Sequence, residues 1–313
     1  MTLRRLAALG PVVALFAACL FFAVQSPRFL TLGNFSLITQ QVMVVGVLAI
    51  GQTLVILTAG IDLSCGMLMA LGGVTMTLLA GKAGMSAPVA IAAGIGATTL
   101  AGFLNDMLVT RVKLPPFIVT LGTMNIAFAL TQIASSSQTV TDLPALFTTL
   151  GTTVPVFGTR IAYGTVVMLL LYAIAWWLLR ETAGGRHVYA VGNNREAARL
   201  SGIDTERVLL VVYTMAGALY GVASLLAVAR TGVGDPQAGQ TENLDTVTAV
   251  VLGGTSLFGG RGVIVGSLVG ALIVGVFRNG LTLMGVSSVY QILVTGVLVI
   301  LAVATDQWSR RNA

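Results

Sequence analysis

Residues 180–207, RETAGGRHVYAVGNNREAARLSGIDTER, form the only long polar island in this chain. They hold five arginines, four acidic residues and the only histidine. On either side the sequence is oily. Of 313 residues, 56% are hydrophobic and 9% charged, and mean hydropathy is +0.94. A soluble domain carries about 25% charged residues, so the fold class is an all-α integral membrane protein. One crossing takes roughly 20 apolar residues, and the apolar runs supply about ten transmembrane helices. They leave no room for a soluble domain, so 1–313 reads as a single transmembrane domain with one elaborate loop at about 180–207.

The runs place helices at about 6–24, 36–58, 66–81, 88–109, 117–135, 161–179, 208–229, 243–254, 263–279 and 286–304. The run at 243–254 is short for a full crossing. Residues 1–24 have the charge and apolar run of a signal peptide, but no clear small-x-small cleavage site follows, so they read as an uncleaved first helix. Pro115 and Pro116 end the fourth helix, because proline cannot continue the hydrogen-bond ladder. Trp176 and Trp177 sit near the end of the sixth, where indoles favour the membrane interface. Residues 136–160 read as a long Ser/Thr-rich loop.

The basic residues fix the orientation. With the N-terminus in the cytoplasm, 12 of the 17 Lys and Arg fall on cytoplasmic ends and loops, among them Arg4, Arg5, Arg310 and Arg311. Cytoplasmic loops carry such an excess. Both termini and the island are therefore expected inside. The net charge of +6 then reports topology and does not call for a nucleic-acid partner. Cys19 and Cys65 give neither a disulfide framework nor a metal set.

Within the island, residues 192–203 read as a small helix with its punctuation. Asn193 or Asn194 can accept a backbone N–H at the start. Glu196 suits the first turn and Arg199 the last. Gly202 can take the left-handed conformation that ends a helix. Ala197, Ala198, Leu200 and Ile203 add an apolar surface. So short a helix is not stable alone in water; it packs on its own membrane helices or on a partner.

Glu196-Ala197-Ala198, three residues, then Gly202 resembles the EAA-x-x-x-G loop of permease subunits in ATP-binding-cassette importers. Three blocks make the likeness more specific: GQTLVILTAGIDLSCG at 51–66, VGNNREAARLSGI at 191–203 and VVLGGTSLFGGRG at 250–262. Together they resemble the ribose/xylose/arabinose-type (monosaccharide) permeases over essentially the whole chain. Cys65 departs from the family, which more often has valine or a similar small residue there, and no consequence is expected of it. The resemblance implies a multi-pass protein of the bacterial inner membrane, paired with a second permease copy or paralogue. It further implies a cytoplasmic ATPase beneath and a periplasmic or lipid-anchored sugar-binding protein above. The ATPase-coupling role would fall to Arg195, Glu196, Ala197, Ala198, Arg199 and Gly202.

The chain is not expected to be an enzyme or to hold a cofactor. It has no G-x-x-x-x-G-K-[ST] loop, since Ala83 follows Gly81-Lys82, so ATP and Mg²⁺ would sit on the partner. For the translocation path, the candidates are polar side chains in apolar helices: Gln52, Thr53, Asn125, Gln132 and Thr248. Amides and hydroxyls hydrogen-bond a neutral polyol without burying a charge, although each could equally bridge two helices. Asp62 joins them as an acidic residue at a helix end, whose plainer role is to cap the third helix. Asp106 is expected to pair near Arg111. Glycine-rich breaks at Gly60–Gly66 and Gly253–Gly262, one in each half, fit an internal five-helix repeat with interrupted helices; they also fit two tight turns. Rival functions are a permease of the same build for a signalling molecule or nucleoside, and an ion-coupled secondary transporter. The second lacks the mid-membrane ionisable residues such proteins use.

Overall fold

The computed structural model describes residues 2–156 and 158–311; Met1, Phe157, Asn312 and Ala313, inside the span read as one domain, lie outside the described residues. The side chains of 2–9, 302, 305–306 and 308–311 do so too, among them Arg4, Arg5, Arg310 and Arg311 of the charge count.

Ten helices stand where the apolar runs place them: α1 (Thr2–Gln25), α2 (Leu32–Leu57), α3 (Cys65–Gly81), α4 (Ala87–Thr110), α5 (Pro116–Ser135), α6 (Tyr163–Glu181), α9 (Thr205–Thr231), α10 (Glu242–Leu252), α11 (Ile264–Leu283) and α12 (Ser288–Arg311). Two more, α7 (Ala183–Asn193) and α8 (Arg195–Leu200), occupy the polar island. Among the described residues, six helices are long and apolar enough to cross a membrane: α2, α4, α5, α6, α9 and α11. With 11 residues, α10 is about 17 Å long, roughly half a bilayer core. The stretch read as a plain loop folds further. A hairpin pairs β1 (Thr153–Val156) with β2 (Thr159–Ala162), and Phe147 before it is fully buried.

The helices assemble around α2, whose apolar window is 89% buried. Small residues let neighbours close in. On α4, Thr98 and Gly102 meet Gly217 and Gly221 of α9 so tightly that a Cβ on either glycine would strike the facing helix. Such small-residue seams replace the hydrophobic drive that lipid removes from helix association.

The packing repeats. α4 lies on α9 as α11 lies on α2; α3 packs on α4, α5 and α9 as α10 packs on α11, α12 and α2; α2 and α9 touch each other. This relates α2–α5 to α9–α12, a four-helix repeat, while α1 packs on α11 and α6 packs on α2, outside the exchange. The breaks that correspond are 58–64, before α3, and 232–241, before α10. That corrects the pairing read from composition, because Gly253–Gly262 links α10 to α11 and corresponds to the turn at 82–86. α3 and the half-length α10 meet at their N-termini. Asn243 Oδ1 accepts from the Gly66 N–H at 2.6 Å and from the Cys65 S–H at 3.2 Å.

Candidate coupling site and the buried polar track above it

The island folds as two capped helices. Thr182 accepts the Gly185 N–H and opens α7. This helix turns Gly185, Val188, Val191 and Gly192 inward, and Tyr189 donates to the Gly262 carbonyl at 3.0 Å. Asn194 then caps α8 by accepting the Ala197 N–H at 2.9 Å, which decides between the two candidate asparagines. Gly202 ends the segment at φ +84, and the Ile203 N–H returns to the Ala198 carbonyl.

Only Ala198 of α8 is buried, and Ile203 packs inward beside it. Arg195, Glu196, Ala197, Arg199 and Leu200 face outward, with Leu200 74% exposed. The apolar surface expected of this helix is thus divided, half on its own protein and half presented. Arg199 donates to both Glu196 carboxylate oxygens, at 3.1 and 2.6 Å. The Arg199 guanidinium holds the Glu196 carboxyl below the usual carboxylate range, and Glu196 in turn raises Arg199.

Beneath α8 three backbones converge. The Gly260 N–H donates to the Leu57 carbonyl at 3.0 Å. A Cβ on Gly192 would strike the Leu57 carbonyl and the Gly260 amide, and one on Gly260 would strike Asn193. The end of α2, the α10–α11 link and the last turn of α7 therefore share one glycine-lined joint, immediately before the Asn194 cap.

A buried polar track climbs from this joint. Asp62, 1% exposed, accepts at Oδ1 from the Ser64 N–H at 2.8 Å and the Ser64 O–H at 2.5 Å. Its Oδ2 accepts from the Tyr220 O–H at 3.1 Å, near the middle of α9. Gln52 Oε1 lies 3.4 Å from the same hydroxyl. Asn105 of α4 donates to Ser64 Oγ and accepts from Thr123 of α5 at 2.5 Å. Each hydrogen bond lets the carboxylate lie where lipid alone would make it costly. Asp62 does not cap α3; Asn243 takes that helix's Gly66 N–H. Cys65 has a role too, through its S–H to Asn243.

The remaining path candidates scatter. Thr53 bonds Ala49 and Ser267, and Thr248 bonds its own helix at Leu244. Gln132 donates to Pro236 at 3.2 Å, and Asn125 sits exposed on α5, bonded to Leu121. Asp106 bonds Thr110, and among the described residues no ion pair joins it to Arg111. Sequence reading passed over Glu242 and Asp245 at the start of α10, which face Arg278 of α11 at 4.0 and 3.1 Å. Their signal was the spacing of three to four residues that puts both carboxylates on one face of a short helix.

The family model for the branched-chain amino acid transport system / permease component matches residues 34–303. The chain belongs to this permease family. The permease is 43% identical over 312 residues to a fructose import permease protein of Rhizobium meliloti, covering 98% of this chain and 87% of that one. It is 40% identical to a ribose import permease protein of Bacillus subtilis, covering 96% and 92%. It is 34% identical to a D-allose transport system permease protein of Escherichia coli, covering 92% and 87%. No solved structure matches. As a multi-pass inner-membrane permease, it is one component of a transport system.

Proposed function

We propose that this permease is the membrane-spanning subunit of an ATP-driven importer that moves a monosaccharide into the cytoplasm. The observation that carries the reading is end-to-end similarity to fructose and ribose import permeases at 40–43% identity. Two features support ATP coupling from outside the chain. The sequence lacks a phosphate-binding loop of its own, and α8 presents a charged face with one bare leucine directly over the joint where α2, α7 and the α10–α11 link meet.

In this reading the partner ATPase grips Arg195, Glu196, Ala197, Arg199 and Leu200. Its closure displaces α8 as a rigid unit. The joint at Leu57, Gly192 and Gly260 passes that displacement to the break at 58–64 and so to Asp62 and Tyr220. A sugar-binding protein delivers cargo from the other side, and a second permease copy or paralogue completes the pathway. ATP and Mg²⁺ belong to the partner.

The test is co-purification in mild detergent followed by reconstitution. An ATPase should come with the tagged chain, and the assembly should accumulate labelled D-fructose or D-ribose only with ATP and a loaded binding protein. A chain that comes alone, and that drives uptake from a proton or sodium gradient, would replace this reading with a secondary transporter.

A further inference from the structure

Two cavities of about 100 Å³ each flank one ion pair in the half of the molecule away from α8. Arg278 and Asp245 line both. On one side lie Gln41 of α2, Arg230 at the end of α9 and Glu242. On the other lie Thr241, Gln291 and Thr295, with Phe277 and Leu281 as apolar floor. Asp245 is 8% exposed at its side chain and Arg278 44%, so the carboxylate is held inside while the guanidinium opens on the two spaces. Gln41 Oε1 is buried and has no hydrogen-bond partner.

We propose that the Arg278–Asp245 pair is a hydroxyl-binding station for the transported monosaccharide. This rests on the importer reading above. Each cavity alone is smaller than the roughly 150 Å³ space that takes a benzene ring, and so too small for a whole sugar ring. Both residues of the ion pair border both spaces. When Arg278 swings away from Asp245 the spaces join, and the freed guanidinium N–H groups and carboxylate oxygens meet vicinal hydroxyls. Gln41 Oε1 accepts a further hydroxyl, and Phe277 offers its ring to the apolar face of the sugar.

The charge balance selects the cargo class. Arg230 and Arg278 oppose Glu242 and Asp245, so the station is neutral as a whole. A neutral polyol gains hydrogen bonds there without introducing a charge of its own, whereas a net anion or cation enters with one sign uncompensated. The repeat adds a reason for the position. The station sits at the first turn of the half-length α10, beside the point where α10 and α3 meet, as the cargo of secondary transporters sits at their interrupted helices.

The experiment uses the whole importer in proteoliposomes, with D-ribose, D-fructose and L-leucine as probes. Arg278→Gln and Asp245→Asn should lower sugar moved per ATP hydrolysed by about ten-fold, the effect of losing a hydrogen bond to a charged group. ATP turnover stimulated by loaded binding protein should persist. In a Cys19→Ala background, Gln291→Cys marks the cavity wall for a small maleimide. Millimolar D-ribose or D-fructose should slow its labelling, L-leucine should not, and adding Arg278→Gln should abolish the protection. The sugar protection of Gln291→Cys is read with the wild-type ion pair in place, so it decides even if the charge variants fail to insert. Labelling indifferent to sugar, with wild-type sugar uptake intact, overturns the station and leaves the importer standing. Protection and uptake by L-leucine in place of sugar overturn both.

Discussion

The Gly260 amide donates to the Leu57 carbonyl at 3.0 Å, tying the α10–α11 link to the end of α2. Gly192 closes the same joint from α7. Two segments 203 positions apart in the chain are thus bound directly under the helix that carries the candidate docking face.

Gly192→Ala tests the joint. Its methyl group would drive into the Leu57 carbonyl and the Gly260 amide, both backbone, so no flexible side chain can yield. Overpacking of this kind costs about 1–3 kcal/mol. The variant should insert, melt several degrees lower in detergent, and transport poorly. Normal melting and normal uptake together would show that the joint is not a close-packed link.

Glu196→Lys and Gly202→Pro test the docking face separately from its support. The first reverses one end of the Glu196–Arg199 pair and sets two cations side by side. The second forces φ to about −65° where the chain needs +84. Both should leave the permease inserted while sugar uptake collapses and the ATPase is lost on purification. Uptake that persists in either variant would remove α8 from the coupling role.

Tyr220→Phe removes the O–H that Asp62 Oδ2 accepts. Leaving that buried carboxylate oxygen without its donor costs about 1–3 kcal/mol. Asp62→Asn keeps an acceptor and adds a donor, so it should lose less stability than Tyr220→Phe. Thermal unfolding in detergent ranks the two. The reverse order would show that the Asp62 charge, and not its hydrogen bond to α9, is what the track requires.

Asn194→Cys tests the sidedness. The position is exposed, so a membrane-impermeant thiol reagent should label it in inside-out vesicles and not in whole cells. Loss of the N-cap costs about 0.5–2 kcal/mol in α8, which should show as weaker ATPase association. Labelling in whole cells would invert the topology.

The sequence by itself determined the ten apolar helices and the capped helix α8 with Glu196 in its first turn and Arg199 in its last. Each of these rests on forces acting within a turn or two of the chain: apolar periodicity, proline stops, side-chain caps and the left-handed glycine at 202. The sequence did not reveal α7, whose polar residues read as loop until its Val188, Val191 and Gly192 had a surface to bury against. It left open whether the glycine-rich breaks belonged to one repeat, and it gave no means to rank Gln52 and Asp62 above Asn125. Only the tertiary structure decided those matters. It paired the break at 58–64 with that at 232–241, set Asn243 of α10 over the N-terminus of α3, and brought Arg278 to Asp245. These contacts join residues far apart in the chain, and which of them form depends on how closely the helices pack. Here that spacing is set by glycines such as Gly102, Gly217 and Gly192, whose missing side chains let one backbone reach another.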